Sequence, residues 1–258
     1  SELLKDADLA AVSAALTENF VSACAAYKVP KGRIQGSTKE QSRPLIEFCC
    51  APNSELCNTA EDYDLPYLRL NKEYADLSDP CIIDQVLDFV KRHPGAHLFG
   101  SLPCTVWSSW QNMSIHKHGE KYFRRLMRRR QKSLQLFSNF ERVAEAVYSS
   151  GGTISFEWPR YCYGWGQEIV QRFIHKYDLW EACFDGCAFG MSDRSVLHSG
   201  APGQPIYKPW RVVTSSSQLA YNLNHYRCGH PHDFAHAQVE GGLTGKTAFY
   251  PRAMCECI

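Results

Sequence analysis

A chain of 258 residues with 44% hydrophobic and 21% charged residues can bury a sizeable core, and its composition excludes a disordered or collagen-like protein. A formal net charge of +1 argues against bulk electrostatic attraction to nucleic acid, and no run reaches the roughly 18 uninterrupted apolar residues of a spanning helix. Twelve cysteines are many, yet the chain is too long and too rich in core-forming residues for a small disulfide scaffold, so they are expected as thiols in an intracellular, reducing compartment, nucleus or cytoplasm.

Residues 1–27 are acidic and amphipathic, with Leu9, Val12, Leu16 and Phe20 at helical spacing, which predicts a helix packed on the main body rather than a secretory signal. Residues 28–44 are polar and broken by Pro and Gly, as a linker is. "LIEFCCAP" (45–52) predicts a buried strand and its loop, and "LPYLRLN" (65–71) a second strand. "DPCIIDQVLDFVKRH" (79–93) predicts a helix with an Asp cap, a proline at its first position and basic residues in its last turn. "AHLFGSLPC" is a third strand with its loop.

Residues 119–149 follow a long helical pattern that turns Leu126, Met127, Leu134, Phe137, Phe140, Val143 and Val147 inward and closes at Gly151 and Gly152. "TISFEWP" (153–159) is a fourth strand, "QEIVQRFIHKYDL" (167–179) another amphipathic helix, and "WEACFDGCAFG" and "PWRVVTSS" two later strands. Strands alternating with helices predict an α/β fold with a doubly wound, mostly parallel sheet, spanning residues 45–220 between an N-terminal helix and linker (1–44) and a Cys/His-rich segment (221–258). In that architecture ligands bind beyond the carboxyl ends of the strands, where "SLPCTVWSSW" and "EWPRYC" lie.

The stretch "KYFRRLMRRRQK" (121–132) carries seven positive charges and no negative one, a local phosphate-attracting stripe that includes Arg124, Arg125 and Arg128, or else a solvated helix face.

The order of these pieces resembles the cytosine-C5 DNA methyltransferase family: "LIEFCCAPNSEL", then "PCTVWS", then "SFEWP", then "CAFGMSDR" leading to "KPWRVVTSS", from Leu45 to Ser217. The resemblance implies a Rossmann-like fold that binds S-adenosylmethionine. It implies Cys104 as the nucleophile that adds to C6 of the base, Glu157 as the carboxyl group that holds the N3 edge, and Arg211 as an assisting arginine. Phe48, Cys50, Pro52, Asn53, Asp76 and Pro103 fall where the family binds its cofactor, with Glu73 a further candidate.

The base must leave its helix or be unpaired, so Trp107, Trp110 and Trp158 are candidates for stacking, and Arg160, Arg194 or Arg211 for phosphate or base contacts. Two departures mark the chain as divergent. The family's cofactor loop carries glycines where this one reads "CCAPNSELC". After Ser217 there is no room for a large target-recognition region, which implies a DNA or RNA partner that is single-stranded or read without sequence specificity. Two other functions fit the same residues: an inactive protein of this fold that binds nucleic acid or a protein partner, and a thiol hydrolase pairing Cys104 with His116 or His118.

In "YRCGHPHDFAHAQVEGG", Cys228, His230, His232 and His236 fall within nine positions, a spacing that suits tetrahedral zinc, with Cys255 or Cys257 of "CECI" completing the shell. Otherwise these histidines cap turns. Cys183 and Cys187 are read as core thiols.

Overall fold

The computed structural model describes residues 27–28, 43–73, 75–192, 203–237, 239 and 247–258. The predicted N-terminal helix, most of the linker and Arg194 lie outside the described residues. The chain forms a seven-stranded mixed sheet: β1 (Tyr27–Lys28), β2 (Leu45–Phe48), β3 (Tyr67–Leu70), β4 (His97–Gly100), β5 (Thr153–Pro159), β6 (Trp180–Asp185) and β7 (Pro209–Thr214), in the order β1-β3-β2-β4-β5-β7-β6. The helices are α1 (Glu55–Asp62), α2 (Pro80–Arg92), α3 (Trp110–Ser149), α4 (Glu168–Lys176), α5 (Ser217–Asn224) and α6 (Arg252–Cys255).

The predicted α/β architecture holds, and the sheet is mostly parallel. β2 pairs in parallel with β3 and β4, and β4 with β5. β7 is the exception inside the sheet, antiparallel to both β5 and β6, and β1 is antiparallel to β3 at the edge. Tyr27 and Lys28 therefore belong to the sheet rather than to a helix and a linker. From β2 the chain crosses to β3 on one side and returns to β4 on the other. The reversal opens between the carboxyl ends of β2 and β4, where doubly wound sheets take ligands.

Helices cover both faces. On one face α2, α3 and α4 bury a core of Ile46, Phe48, Leu98, Phe137, Phe140, Phe156, Trp158 and Phe173. Its rings meet edge to face, Phe137 with Phe156 at 5.2 Å and Phe156 with Trp158 at 4.7 Å, the arrangement their quadrupoles favour. On the other face α1, α5 and α6 cover Phe99, Ala182, Phe184, Trp210 and Val212. The C-terminal segment, set apart in the sequence reading, is built into this second layer through Met254 and Cys255.

Local chemistry explains the elements. The Asp79 side chain accepts from the Cys81 amide at 2.8 Å with Pro80 at the first helical position, and Lys91 and Arg92 close α2. The long helix α3 starts earlier than its apolar pattern, at Trp110, and breaks at Gly119 (φ 64°, ψ −155°), where the predicted helix begins. At its far end Gly152 lets the chain re-enter the sheet beside β4, since a Cβ there would lie 2.1 Å from the Ala96 carbonyl oxygen. Three helices escaped prediction because they are short: α1 is rich in Asn, Thr and Asp, α6 has four residues, and α5 depends on a Ser216 cap accepting from the Leu219 amide. Among the described residues no helix is long and apolar enough to cross a membrane.

Candidate functional site

Cys104 and Glu157 leave the carboxyl ends of the adjacent parallel strands β4 and β5. Cys104 is half-buried in the loop after β4, where its carbonyl accepts the Trp107 amide of a single 3-10 turn at 2.8 Å. Burial and the neighbouring Glu157 push its thiol up to about 11, and the Lys208 ammonium opposes them. Glu157 is itself buried. Burial raises its carboxyl above the usual range, while Lys208 and a 2.7 Å hydrogen bond from the Tyr250 hydroxyl pull it back. Tyr250 shares a second 2.7 Å hydrogen bond with Ser101 at the end of β4.

Lys208 sits just before β7. Because β7 runs against β5, its first residues arrive at the edge where β5 ends. The ammonium donates to the Thr247 carbonyl and lies 4.8 Å from the Trp210 ring centre, and burial depresses its pKa while Glu157 and Cys104 raise it. The site thus holds a thiol, a carboxyl, an ammonium and a phenol. Sequence reasoning found the first two. Lys208 and Tyr250 were missed, since only the antiparallel turn of β7 and the folding back of residues 247–250 bring them there.

Several expected residues stand elsewhere. Arg211 pairs with Trp158 across β5 and β7, so its side chain projects to the face opposite Glu157; it stacks 4.5 Å over Trp165 and pairs with Glu181 at 2.6 Å. It is a mostly buried cation on the other face, and the positive charge beside Glu157 is that of Lys208. Trp107 and Trp158 are 2% and 1% exposed and cannot stack on a base. Trp158 donates to the Leu102 carbonyl at 2.7 Å and Trp107 to Ser133 at 2.9 Å, so both indoles serve packing.

Exposed aromatics lie instead on the segments that follow β4 and β5. Tyr161 and Tyr163 are 68% and 49% exposed and flank Cys162, whose thiol, pushed up to about 12 chiefly by burial, also feels Cys104 and Glu157. Trp110 is exposed at the start of α3, and Asn112, half a turn on, reaches the Tyr163 hydroxyl at 3.5 Å. Arg160 donates its amide to Pro209 and lies beside the Tyr161 ring at 5.8 Å.

Arg124, Arg125 and Arg128 lie on the outer part of α3; Arg124 pairs with Glu120, while Arg125 and Arg128 line a groove of about 370 Å³ with His118, Lys121 and Tyr122. His116 lines a second groove with Trp110 and Lys117. The two histidines proposed as partners of Cys104 thus face the grooves of α3, and the charges acting on the thiol are Glu157 and Lys208.

At the reversal between β2 and β4, Phe48 is wholly buried against Phe140 at 5.5 Å and lines nothing. Cys50 donates its thiol to the Leu70 carbonyl at 3.4 Å, and Pro52, Asn53 and Pro103 are open to solvent in whole or part. Asp76 is exposed and caps its own loop, its Oδ1 accepting from the Ser78 amide at 2.9 Å. Two features mark the ends of β2 and β3: Cys49 holds φ +67°, the left-handed conformation in which glycine is favoured, and the Asn71 amide nitrogen is buried with no partner.

Cys187, Cys228, His230 and His236 form a group that could hold a metal ion, with one ligand atom from each and all four atoms within 4.8 Å of one another. The Cys228 sulfur lies 3.3 Å from both His230 Nδ1 and His236 Nε2, and these nitrogens are 3.2 Å apart. Phe234 stacks on His230 at 4.2 Å, and Asp185 accepts the Cys228 amide at 2.9 Å, fixing the loop. Two expected ligands drop out. His232 is exposed on the turn outside the group, and Cys255 is buried in α6 against the second core. Cys187, read as a core thiol, takes their place because the 3-10 turn after β6 points it at the C-terminal segment.

Compared with known proteins, the chain matches no family model, no curated protein and no solved structure.

Proposed function

We propose that the protein is an S-adenosylmethionine-dependent methyltransferase of Rossmann-like fold that acts on cytosine in a nucleic acid through Cys104. The observation that carries this reading is the meeting of Cys104 and Glu157 at the carboxyl-end side of neighbouring parallel strands, where the Glu157 carboxylate acts on the thiol and the Lys208 ammonium acts on both.

Each residue has a chemical task. As a thiolate, Cys104 forms an Sγ–C6 bond to the base while the C5–C6 π pair shifts toward C4 and N3 takes a proton from Glu157. A carboxyl group whose pKa is raised is the form that can give that proton at neutral pH. Lys208 is the positive charge that favours the thiolate once a base excludes water. Once C5 carries the methyl group, water takes the C5 proton, the C5–H pair re-forms the C5–C6 double bond, the Sγ–C6 pair returns to sulfur, and N3 gives its proton back to Glu157. S-adenosylmethionine supplies the electrophilic methyl group, and Cys49, Pro52, Asn53, Asn71 and Pro103 would hold it; the glycine-like backbone of Cys49 and the unpartnered Asn71 amide fit such a ligand.

Tyr161, Tyr163 and Trp110 offer stacking surface for an unpaired base, and Arg124, Arg125 and Arg128 attract the phosphates, so the partner is DNA or RNA that is single-stranded or read without sequence specificity. Zinc is the ion that fits the Cys/His group, having two thiolates and two imidazoles at tetrahedral spacing. The free thiols of the described residues suit a reducing compartment, nucleus or cytoplasm.

The test is covalent trapping. An oligonucleotide carrying 5-fluorocytosine, with S-adenosylmethionine present, is expected to form an adduct at Cys104 that Cys104→Ala abolishes and Glu157→Gln slows by roughly 10² to 10⁴-fold. A second reading, an inactive protein of the same fold that binds nucleic acid, is favoured by the raised thiol pKa alone. No adduct on DNA or RNA, together with no heat of S-adenosylmethionine binding, would overturn the catalytic reading and leave the second.

A further inference from the structure

We propose that Cys187, Cys228, His230 and His236 close around a structural zinc ion whose role is to clamp the chain segment carrying Lys208 into position beside Glu157. The proposal rests on the zinc assignment above and is independent of the methyltransferase reading.

The geometry of the four groups fits a closed tetrahedral shell. Bond lengths of about 2.0 to 2.3 Å to nitrogen and sulfur require ligand atoms about 3.3 to 3.8 Å apart. The separations among the Cys228, His230 and His236 ligand atoms are 3.2 to 3.3 Å, and the Cys187 sulfur lies within 4.8 Å of all three. All four positions are protein ligands, which leaves none for a reacting water and marks the site as structural rather than catalytic. Three such atoms converging on one point have too few protons to satisfy one another, and a cation removes that conflict.

The clamp follows from what the ligands flank. Cys187 belongs to the turn after β6, and Cys228, His230 and His236 to the segment after α5. Residues 205–208 run between them. On one side the Gly186 amide donates to the Lys208 carbonyl and the Ile206 amide to the Met191 carbonyl, both at 2.9 Å. On the other, the Ala237 amide, next to His236, donates to the Pro205 carbonyl at 2.9 Å, and the Tyr207 ring lies 5.5 Å from the His236 ring. An ion joining Cys187 to His236 therefore ties the two walls of this slot together. Lys208 leaves the slot with its backbone fixed and its ammonium directed at the Thr247 carbonyl, near Glu157 and Cys104.

The experiment uses the full chain stripped with a chelator and then given zinc chloride. The expected result is one zinc per chain by elemental analysis, with Cys187 and Cys228 protected from iodoacetamide, and backbone hydrogen exchange across residues 205–210 slowed by roughly tenfold or more while β2 and β4 are unchanged. Cys228→Ser and His236→Ala should lose the zinc, and His232→Ala and Cys255→Ser should keep it. Lys208→Gln should also keep it, since the lysine is clamped and does not ligate. Loss of zinc in His232→Ala or Cys255→Ser would overturn the ligand set, and zinc bound without slower exchange at 205–210 would overturn the clamp. A chain that gains both zinc and protection but traps no fluorocytosine supports this inference while the methyltransferase reading fails.

Discussion

The two faces of the sheet are built on different principles. The face under α2, α3 and α4 is a continuous aromatic and aliphatic layer in which Phe48, Phe137, Phe140, Phe156, Trp158 and Phe173 are almost wholly excluded from solvent. The opposite face mixes apolar packing with buried Glu47, Ser155 and Glu157, and it carries the Lys208 and Tyr250 contacts. Apolar burial stabilises without direction, whereas buried polar groups cost free energy unless each finds a partner. The first face is held chiefly by apolar burial, and the second carries buried polar groups whose cost their partners must offset.

Three perturbations test this division. The largest effect belongs to the apolar face: Phe137→Ala, which empties the meeting point of Phe140, Phe156, Trp158 and Phe173, is expected to lower stability by about 3–5 kcal/mol, read as a drop in urea midpoint. A loss under about 1 kcal/mol would mean that the layer repacks and the contrast between faces is weaker than drawn.

Next comes the pH dependence of the polar face. Glu157 and Glu47 both have carboxyl pKa values raised above 4.5, chiefly by burial, so the folded chain binds their protons more tightly than the unfolded chain does. Stability from these groups is therefore fully present below the ordinary carboxyl range and is lost as pH rises from there through the folded values. Urea denaturation across that window should show a falling stability whose slope is reduced in Glu157→Gln. An unchanged slope would place Glu157 in contact with water.

The smallest effect is on the outer part of α3. Changing Arg124, Arg125 and Arg128 together to Ala should shift stability by only about 0.5 kcal/mol each, since all three are exposed. The salt dependence of single-strand binding should nevertheless lose about 0.7 in log–log slope per phosphate contact removed. Filter binding over a salt series measures it, and an unchanged slope would remove this helix from the interface.

Much of the scaffold was legible in the sequence. The apolar runs at 45–48, 97–100 and 153–158 became the parallel centre of the sheet, and the Asp79-Pro80 start and the 3.6-residue pattern ending at Val147 became α2 and the inner side of α3. These signals are local, because periodicity and capping depend on residues a few positions apart. The placement of Cys104 and Glu157 at strand ends was legible for the same reason.

The partners of those residues were not. A period of two shows that Glu157 and Trp158 point to opposite faces, but it does not show which face the chain leaves open, so Trp158 and Arg211 were expected on the wrong one. Lys208 and Tyr250 meet Glu157 only because β7 inserts antiparallel beside β5 and the chain returns across the sheet, and Cys187 meets Cys228 only because β6 and the C-terminal segment share a corner. By itself the sequence determined the long elements and the placement of Cys104 and Glu157 near their carboxyl ends. Strand order and the folding back of the C-terminal segment decided the rest, since contacts between residues far apart in the chain arise from the assembled sheet rather than from any local pattern.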